Sequence, residues 1–284
     1  MIGIGDQHTE FFHDARFKAL HIATARLSIP WDVLWNRSWA RGLNTWLKAA
    51  RAAGVEPLLS FDHSNRFGRK RGLPTLGQMR TAFRDIRHLY PWVHDFATWN
   101  EANYCGEPTC TRAATVATYY KMMRANCPSC KILAAELLDS PLPVTMSRWV
   151  HEFDHALGYA PSLWGLHDYV GVNRLSDAST RQALALTHGD VWITEVAGIV
   201  SRHNGSKVDF PQSTAHAATV TDYILHHITH LSSRIKRIYL YQWNALKGQT
   251  TWDSALIGPN GKPRPSFLDV LRYLAPGIKP PPGP

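Results

Sequence analysis

The chain has 284 residues and a formal net charge of +9, with 44% hydrophobic and 19% charged residues. It contains no apolar run near the roughly 18 residues that cross a bilayer, which excludes a membrane-spanning segment. The positive charge favours anionic partners, but without a basic arm or a nucleic-acid-binding motif we expect no nucleic-acid partner. The length suits one globular domain of the size of a β/α barrel.

Short apolar or β-branched runs alternate with amphipathic segments along the chain. The predicted strands are Ile2–Gly5, Thr24–Ser28, Glu56–Phe61, Asp95–Trp99, Lys131–Ala135, Leu163–His167, Asp190–Thr194 and Arg237–Gln242. The predicted helices are Phe11–Leu20, Ser38–Ala53, Thr75–Leu89, Arg112–Asn126, Thr145–Leu157, Thr180–Leu186, Thr214–Leu231 and Ser266–Leu274. Alternation predicts a parallel sheet, and eight units favour a single (β/α)8 TIM barrel over residues 1–275. The Pro/Gly-rich segment 276–284 is expected to be an unfolded tail.

Four cysteines form two close pairs in the sequence, Cys105 with Cys110 and Cys127 with Cys130. The predicted helix Arg112–Asn126 would hold the two pairs roughly 20 Å apart, at 1.5 Å rise per residue. This separation favours two local disulfides over one four-thiolate zinc site. Disulfides indicate an oxidising compartment. Because the N-terminus leads almost directly into the first strand, we expect a secreted protein whose signal peptide has been removed.

Two acidic residues close predicted strands: Glu101 follows the fourth and Glu195 ends the seventh. In a β/α barrel the active site lies at these strand ends, so the two carboxylates would face each other across the barrel mouth. A retaining glycosidase needs its two carboxyl groups about 5–5.5 Å apart. Each glutamate alone is more typical of a helix cap or salt-bridge partner. Together Glu101 and Glu195 predict hydrolysis by double displacement, with one glutamate as nucleophile and the other as general acid/base.

The sequence around these glutamates resembles glycoside hydrolases of clan A over nearly the whole chain, closest to family 39. In that clan an Asn precedes the acid/base at the end of strand four, which matches Asn100-Glu101, and the nucleophile ends strand seven, which matches Glu195. The resemblance therefore implies that Glu101 is the general acid/base and Glu195 the nucleophile. The resemblance implies that Asn100 binds the sugar 2-hydroxyl and that Arg26 keeps Glu195 ionised. The chain departs from the clan's Asn-Glu-Pro motif, because Ala102 stands in place of the proline.

The same resemblance implies roles for residues on strands six and eight. His167 or Tyr169 would orient the nucleophile, and Trp243 would be the platform beneath the reacting sugar. Trp31 and Trp35, after strand two, are candidates for stacking on further sugars. The predicted substrate-binding residues are Arg26, Trp31, Asp62, His63, Asn100, His167, Tyr169 and Trp243.

A basic run follows the third strand and is expected on the rim of the catalytic face. It contains Arg66, Arg69, Lys70 and Arg71. We consider two interpretations, a solvated loop or a binding site for carboxylated or otherwise anionic glycan.

Two rival functions fit part of the sequence. The segment from His151 to His155 matches the H-E-x-x-H zinc motif of metalloproteases, with Glu152 as its general base. The apolar positions Trp149 and Phe153 predict that both histidines project from the solvent-facing side of a barrel helix. The second rival is a non-catalytic, carbohydrate-binding barrel.

Taken together, the residues predict a secreted, monomeric, retaining β-glycosidase that acts within an oligosaccharide or polysaccharide. Neutral and anionic glycans are both open as substrates. The double-displacement mechanism requires neither a metal nor an organic cofactor.

Overall fold

The structure, a computed structural model, describes residues 1–64, 72–139, 145–203, 209–248 and 251–279. The strands are β1 (Ile2–Gly5), β2 (Thr24–Pro30), β3 (Glu56–Asp62), β4 (Asp95–Ala97), β5 (Lys131–Leu133), β6 (Glu136–Leu138), β7 (Leu163–His167), β8 (Asp190–Val196), β9 (Ser201–Arg202), β10 (Ile235–Tyr241) and β11 (Trp252–Asp253). The helices are α1 (Ala15–Ala19), α2 (Arg37–Ala52), α3 (Leu76–Leu89), α4 (Ala113–Asn126), α5 (Met146–Leu157), α6 (Val170–Asn173), α7 (Ala178–Leu186), α8 (Thr214–His226) and α9 (Pro265–Leu274). Short 3-10 helices cover Glu10–His13, Val33–Trp35 and Ile228–His230.

Nine parallel strands form one nearly closed sheet in the order β5-β4-β3-β2-β1-β10-β8-β7-β6. The outermost strands, β5 and β6, are two halves of one barrel strand. The first half pairs with β4, and the second half pairs with β7. Backbone hydrogen bonds also join the residues between them to β7, from Ala134 N to Leu163 O and from Gly165 N to Ala135 O, both at 2.9 Å. The predicted eight-unit barrel is therefore confirmed, with its fifth strand interrupted.

Several helices start where the sequence supplies a side-chain cap. Asn36 Oδ1 accepts hydrogen bonds from the first backbone N–H groups of α2, and Thr75 forms a capping box with Gln78 at the start of α3. Two predicted helices are divided in the structure. The predicted helix Thr214–Leu231 ends at His226 and is followed by the 3-10 helix Ile228–His230. Asp14 is extended and caps α1, so the predicted helix Phe11–Leu20 is split into a 3-10 turn and a short helix. Within the described residues, no helix combines the length and the hydropathy needed to cross a bilayer.

The N-terminal end of the barrel is closed by an ion-pair cluster. The guanidinium of Arg237 lies 2.6 Å from Asp95 Oδ2 and 3.0 Å from Glu56 Oε2. The same guanidinium stacks 4.0 Å from the ring centroid of Trp192. Because all the barrel strands are parallel, their carboxyl ends meet at the opposite face, which leaves that face for the polar side chains that end the strands.

Both predicted cysteine pairs are at disulfide bonding distance. The Cα atoms of Cys105 and Cys110 are 4.8 Å apart, and those of Cys127 and Cys130 are 5.3 Å apart. Helix α4 separates the two pairs, as expected. The prediction of two local disulfides is confirmed.

Candidate active site

The two predicted catalytic glutamates meet at the carboxyl ends of the strands. Glu195 lies near the end of β8, and Glu101 follows β4 with a left-handed backbone φ of 42°. One carboxylate oxygen of each glutamate and a ring nitrogen of His167, the last residue of β7, all lie within 4.8 Å of one another. The barrel thus brings residues from three separate strands into one cluster.

Arg26, on β2, connects this cluster to the barrel interior. Its Nη1 donates to Glu195 Oε1, its Nη2 donates to Asn100 Oδ1 at 2.8 Å, and its Nε donates to Glu136 Oε1 at 2.7 Å. Burial acts to lower the pKa of the guanidinium, but the charges of Glu136 and Glu195 hold it well above its ordinary value. Arg26 is therefore a permanent buried cation aimed at Glu195.

Glu136, at the start of β6, was not predicted as a site residue. Its side chain is completely buried, and Ser60 Oγ donates to the same carboxylate that pairs with Arg26. Burial acts to raise the pKa of Glu136, but Arg26 and the neighbouring His167 hold it well below its ordinary value. The predicted fifth strand ended at Ala135, one residue too early. Extending that strand through its break would have placed Glu136 among the polar strand ends.

His167 lies between the three carboxylates. Its Nδ1 is 3.2 Å from Glu101 Oε1 and 3.5 Å from Glu195 Oε2, and its Nε2 is 3.6 Å from Glu136 Oε2. Burial acts to lower the pKa of the imidazole. The charge of Glu195 and the hydrogen bond with Glu101 outweigh burial and raise that pKa to about 10. At neutral pH the ring is an imidazolium with an anion on each side.

Tyr169 and His167 both contact the predicted nucleophile. The hydroxyl of Tyr169 donates to Glu195 Oε2 at 2.9 Å. Burial and then the charge of Glu195 raise the pKa of this phenol well above its ordinary value, so it remains a donor. The sequence predicted that one of these two residues orients the nucleophile, whereas the structure places both side chains in the cluster.

Two of the three tryptophans predicted to stack on sugars, Trp243 and Trp31, are buried, so these two predictions are wrong. Trp243 has no exposed surface; its ring packs edge-on against Phe17 and Phe267, and its Nε1 donates to Asp14 Oδ2 at 3.0 Å. Strand β10 ends at Tyr241, so the side-chain alternation of the strand does not extend to Trp243. Trp31 is only 2% exposed, and its ring packs edge-on with that of Trp35, with centroids 4.9 Å apart.

Other aromatic side chains take the rim of the site. Tyr241 is partly exposed at the end of β10, and burial, then the charge of Glu195, raise the pKa of its phenol well above its ordinary value. Trp252 on β11 packs edge-on against Tyr169, with centroids 4.9 Å apart. The guanidinium of Arg202, on the paired strand β9, lies 5.6 Å from the Trp252 ring centroid. Strand β11 is a two-residue strand with no periodicity that could have marked Trp252 in the sequence.

Asp62 and His63 form a second cluster at the end of β3. The Nδ1 of His63 lies 2.8 Å from Asp62 Oδ1 and 2.8 Å from Glu107 Oε1. Hydrogen bonds to Asp62 and then to Glu107 raise the pKa of the His63 imidazole to about 10. Trp99 Nε1 donates to Glu107 at 3.3 Å. The role of Asp62 and His63 in binding sugar stays a prediction.

Within the described residues, two groups have the donor types and closeness of a metal site. They are Asp62 with His63 and Glu107, and Glu101 with His167 and Glu195. In both groups a nitrogen of an imidazole with a raised pKa lies at hydrogen-bonding distance from a carboxylate oxygen. A proton shared between the imidazole and the carboxylate satisfies the hydrogen-bonding capacity of both groups without a metal ion.

The H-E-x-x-H segment does not form a site. His151 and His155 are exposed on the outer face of α5, and Glu152 Oε1 accepts a hydrogen bond from Arg148 Nε at 2.8 Å. The apolar face of the helix is buried, as predicted, with Phe153 wholly inside. The prediction that both histidines face solvent is confirmed. The basic run Arg66, Arg69, Lys70 and Arg71 lies outside the described residues.

The fold is that of the glycoside hydrolase TIM barrels. A family 5 glycoside hydrolase of Streptomyces cattleya, solved in complex with GlcNAc, has a TM-score of 0.66 and 14% identity, over 99% of this chain and 82% of its own. A family 128 endo-β-1,3-glucanase of Amycolatopsis mediterranei in complex with laminaripentaose has a TM-score of 0.60 and 17% identity, over 97% and 99% of the two chains. Fungal β-1,4-galactanase has a TM-score of 0.60 and 13% identity, over 95% and 98%.

These neighbours span several glycoside hydrolase families and do not single out family 39. No protein-family model matches the sequence, and no curated protein is significantly similar to it.

Proposed function

We propose that the protein is a retaining β-glycosidase in which Glu195 is the nucleophile and Glu101 the general acid/base. The observation that carries this proposal is the closeness of the two carboxylates, which present oxygens within 4.8 Å of each other. Retaining enzymes hold their carboxyl groups about 5–5.5 Å apart, whereas inverting enzymes need about 6.5–9.5 Å to fit a water molecule. The short separation therefore supports double displacement.

The hydrogen bonds support the assignment of the two roles. Glu195 accepts hydrogen bonds from Arg26 and Tyr169, which stabilise it as the anion that attacks the sugar. Glu101 has one side-chain hydrogen-bond partner among the described residues, His167, and its side chain is 21% exposed compared with 12% for Glu195. Glu101 is thus the carboxyl that can reach a leaving group and then a water molecule.

In the first step, Glu195 attacks the anomeric carbon while Glu101 transfers its proton to the glycosidic oxygen. The carbon–oxygen bond breaks, the leaving sugar departs with the proton, and an ester forms between the sugar and Glu195. In the second step, Glu101 takes a proton from water as the water oxygen attacks the same carbon. This displacement frees the Glu195 carboxylate, and two inversions give net retention.

Asn100 completes the sugar contacts of this mechanism. Its Oδ1 is held by Arg26, while its side-chain amide nitrogen has no partner among the described residues. That nitrogen can donate to the 2-hydroxyl of the reacting sugar, a contact that strengthens as positive charge develops on the ring.

The proposed substrate is an oligosaccharide or polysaccharide that is cleaved internally. Tyr241 and Trp252 offer aromatic surface on the rim, and Arg202 beside Trp252 adds a guanidinium that suits a carboxylated sugar. The endo-β-1,3-glucanase neighbour supports internal cleavage, because it matches this barrel over 99% of its own length. The two disulfides support export to an oxidising compartment, and we propose that the exported protein is a monomer.

The test is a screen of neutral and uronate-bearing polysaccharides with the wild-type protein, Glu101→Gln and Glu195→Gln. Proton NMR of the first product should show the β anomer. Azide should restore turnover to Glu195→Ala with an α-glycosyl azide as product, and to Glu101→Ala with a β-glycosyl azide. An inverted first product, or full activity in either Gln variant, would exclude the mechanism.

Glu152→Gln is the matched control, since it removes a glutamate charge from the outer surface of the barrel. It should retain the wild-type rate on the glycan substrate. Peptide cleavage that is lost both in this variant and with a zinc chelator would establish the protease instead. Sugar binding by the wild type without any turnover would establish the non-catalytic barrel.

A further inference from the structure

The Glu136 carboxylate is close to the catalytic residues but out of reach of a substrate. Its side chain has no exposed surface, and the side chains of Arg26 and His167, which contact it, are also 1% exposed or less. A sugar at the mouth of the barrel therefore cannot touch Glu136. Any effect of this residue on the reaction must pass through its neighbours.

The first of these neighbours is Arg26. Glu136 accepts hydrogen bonds from both Nε and Nη2 of the guanidinium, which is the two-point contact of a planar fork with a carboxylate. This contact fixes the plane of the guanidinium, and its Nη1 then points at Glu195. The orientation of the arginine toward the nucleophile is therefore set from behind by Glu136.

The second neighbour is His167. Its Nε2 faces Glu136 Oε2 at 3.6 Å, and its Nδ1 faces both Glu101 and Glu195, at 3.2 and 3.5 Å. The imidazolium thus has one anion behind it that does not react and two carboxyl groups in front of it that do. The titratable or charged side chains that act on this ring are those of Arg26, Glu101, Glu136 and Glu195. The phenols of Tyr169 and Tyr241 interact with Glu195 and Glu101 in the same cluster.

The charges of this cluster balance at each stage of the proposed reaction. Before the reaction, the two cations Arg26 and His167 face the anions Glu136 and Glu195, while Glu101 carries its proton. In the glycosyl-enzyme, Glu195 is a neutral ester, and the Glu101 carboxylate is the second anion. Both stages are neutral only if Glu136 is ionised throughout. Without its charge, one buried cation would be uncompensated in both stages.

From this geometry we propose that Glu136 is a positioning residue that orients Arg26. Its carboxylate also supplies a fixed negative charge, which keeps the cluster neutral while the other negative charge moves from Glu195 to Glu101. The inference rests on the proposed glycosidase function. Glu136 itself neither bonds to the sugar nor transfers a proton.

The experiment compares Glu136→Gln with the wild type by two measurements. We expect kcat to fall by roughly 10- to 100-fold with a smaller change in KM, because the group that holds Arg26 has lost its charge. We also expect the alkaline limb of the pH–rate profile to move to lower pH, because the cluster loses one of the two anions, Glu136 and Glu195, that face the His167 imidazolium before the reaction. The pKa of His167, followed by NMR of labelled histidine, should be lower by about 1 or more in the variant.

Two further variants separate charge from shape. Glu136→Asp retains the charge and should leave the alkaline limb close to that of the wild type, although kcat falls because the shorter side chain holds Arg26 less well. Ser60→Ala removes a hydrogen bond to the same carboxylate and should leave the His167 titration unchanged. If Glu136→Gln does not fold, Glu136→Asp and Ser60→Ala still test the proposal, since a moved alkaline limb in either contradicts it.

An unchanged His167 titration in folded Glu136→Gln, or a kcat within threefold of the wild type, would overturn the proposal. The NMR titration does not need a substrate. If the wild type proves inactive on every glycan, the glycosidase proposal fails while the charge coupling is still measured. If the wild type is active and the coupling is absent, only the role of Glu136 is refuted.

Discussion

Two aspartates beside the candidate catalytic cluster, the buried Asp168 and the partly exposed Asp139, yield a prediction about stability and pH. Asp139 follows β6 and Asp168 follows β7. Thr180 Oγ1 donates to Asp168 at 2.5 Å, and the backbone N–H of Gly171 donates to Asp139 at 2.7 Å. Burial and then the charge of Asp139 raise the pKa of Asp168 well above its ordinary value, and burial raises the pKa of Asp139. We infer that Asp168 is protonated and that its carboxyl O–H donates a hydrogen bond to Asp139.

The sign of the pH effect follows from linkage. Where the folded protein holds a proton that the unfolded chain has released, the free energy of unfolding falls as pH rises. For Asp168 the fall begins near the ordinary pKa of 3.8 and ends above the raised folded-state pKa. It amounts to about 1.4 kcal/mol for each pH unit between the two pKa values. Asp168→Asn keeps the shape, can donate to Asp139 in place of the proton, and does not ionise.

We therefore expect Asp168→Asn to be about as stable as the wild type at pH 4 and more stable at pH 8. At this chain length each kcal/mol corresponds to about 2–4 °C in Tm. Urea unfolding of both proteins between pH 4 and 8 is the assay. Asp139→Asn is the matched comparison and should be destabilised at pH 8, because Asp139 accepts backbone N–H groups as the anion. A stability difference between wild type and Asp168→Asn that is the same at all pH values would refute the reasoning.

Three further substitutions test the placement of the aromatic residues. Tyr169→Phe removes a hydrogen bond to a charged group, which is worth about 1.5–3 kcal/mol, so kcat/KM should fall by roughly 10- to 100-fold. The acid limb of the pH–rate profile should move to higher pH. An unchanged profile would contradict the contact between Tyr169 and Glu195. Tyr241→Ala should lower kcat/KM on oligosaccharides by about tenfold through a raised KM, measured by initial rates. Trp243→Phe should lower the free energy of unfolding by about 1–3 kcal/mol in urea titrations, because Asp14 loses a buried hydrogen-bond partner. The KM for the glycan should stay unchanged. A raised KM would show that Trp243 contacts sugar.

The fold was predictable because each unit of the barrel carries its own local pattern. The errors fall where tertiary contacts override that pattern. The predicted helix Phe11–Leu20 breaks at Asp14, whose carboxylate is occupied by Arg16 and by the distant Trp243. The predicted fifth strand Lys131–Ala135 splits because its two halves pair with different neighbours.

The candidate site was predictable where a residue stands at the end of a regular strand, as Glu195 does, or within a recognisable motif, as Glu101 does. Glu136 escaped prediction because it follows an interruption in its strand. Trp243 was wrongly assigned as the platform beneath the sugar. Side chains two residues apart lie on the same face only within a strand, and the strand that carries Tyr241 ends at that residue. Trp252 and Arg202 reach the rim through a pairing between two remote loops, which no local pattern encodes.

The left-handed backbone of Glu101 has a consequence for engineering. A side chain at a φ of 42° is less stable than glycine would be, by roughly 1 kcal/mol, so the wild-type residue is not the most stable choice for this position. A library selected for heat resistance alone would enrich Glu101→Gly and discard the proposed proton donor. In a saturation scan scored only by thermal survival, positions 21, 101 and 175 should all favour glycine, because His21 and Leu175 share this left-handed backbone. Of these three residues only Glu101 lies in the cluster with His167 and Glu195, so selection for stability at that position would act against the proposed function.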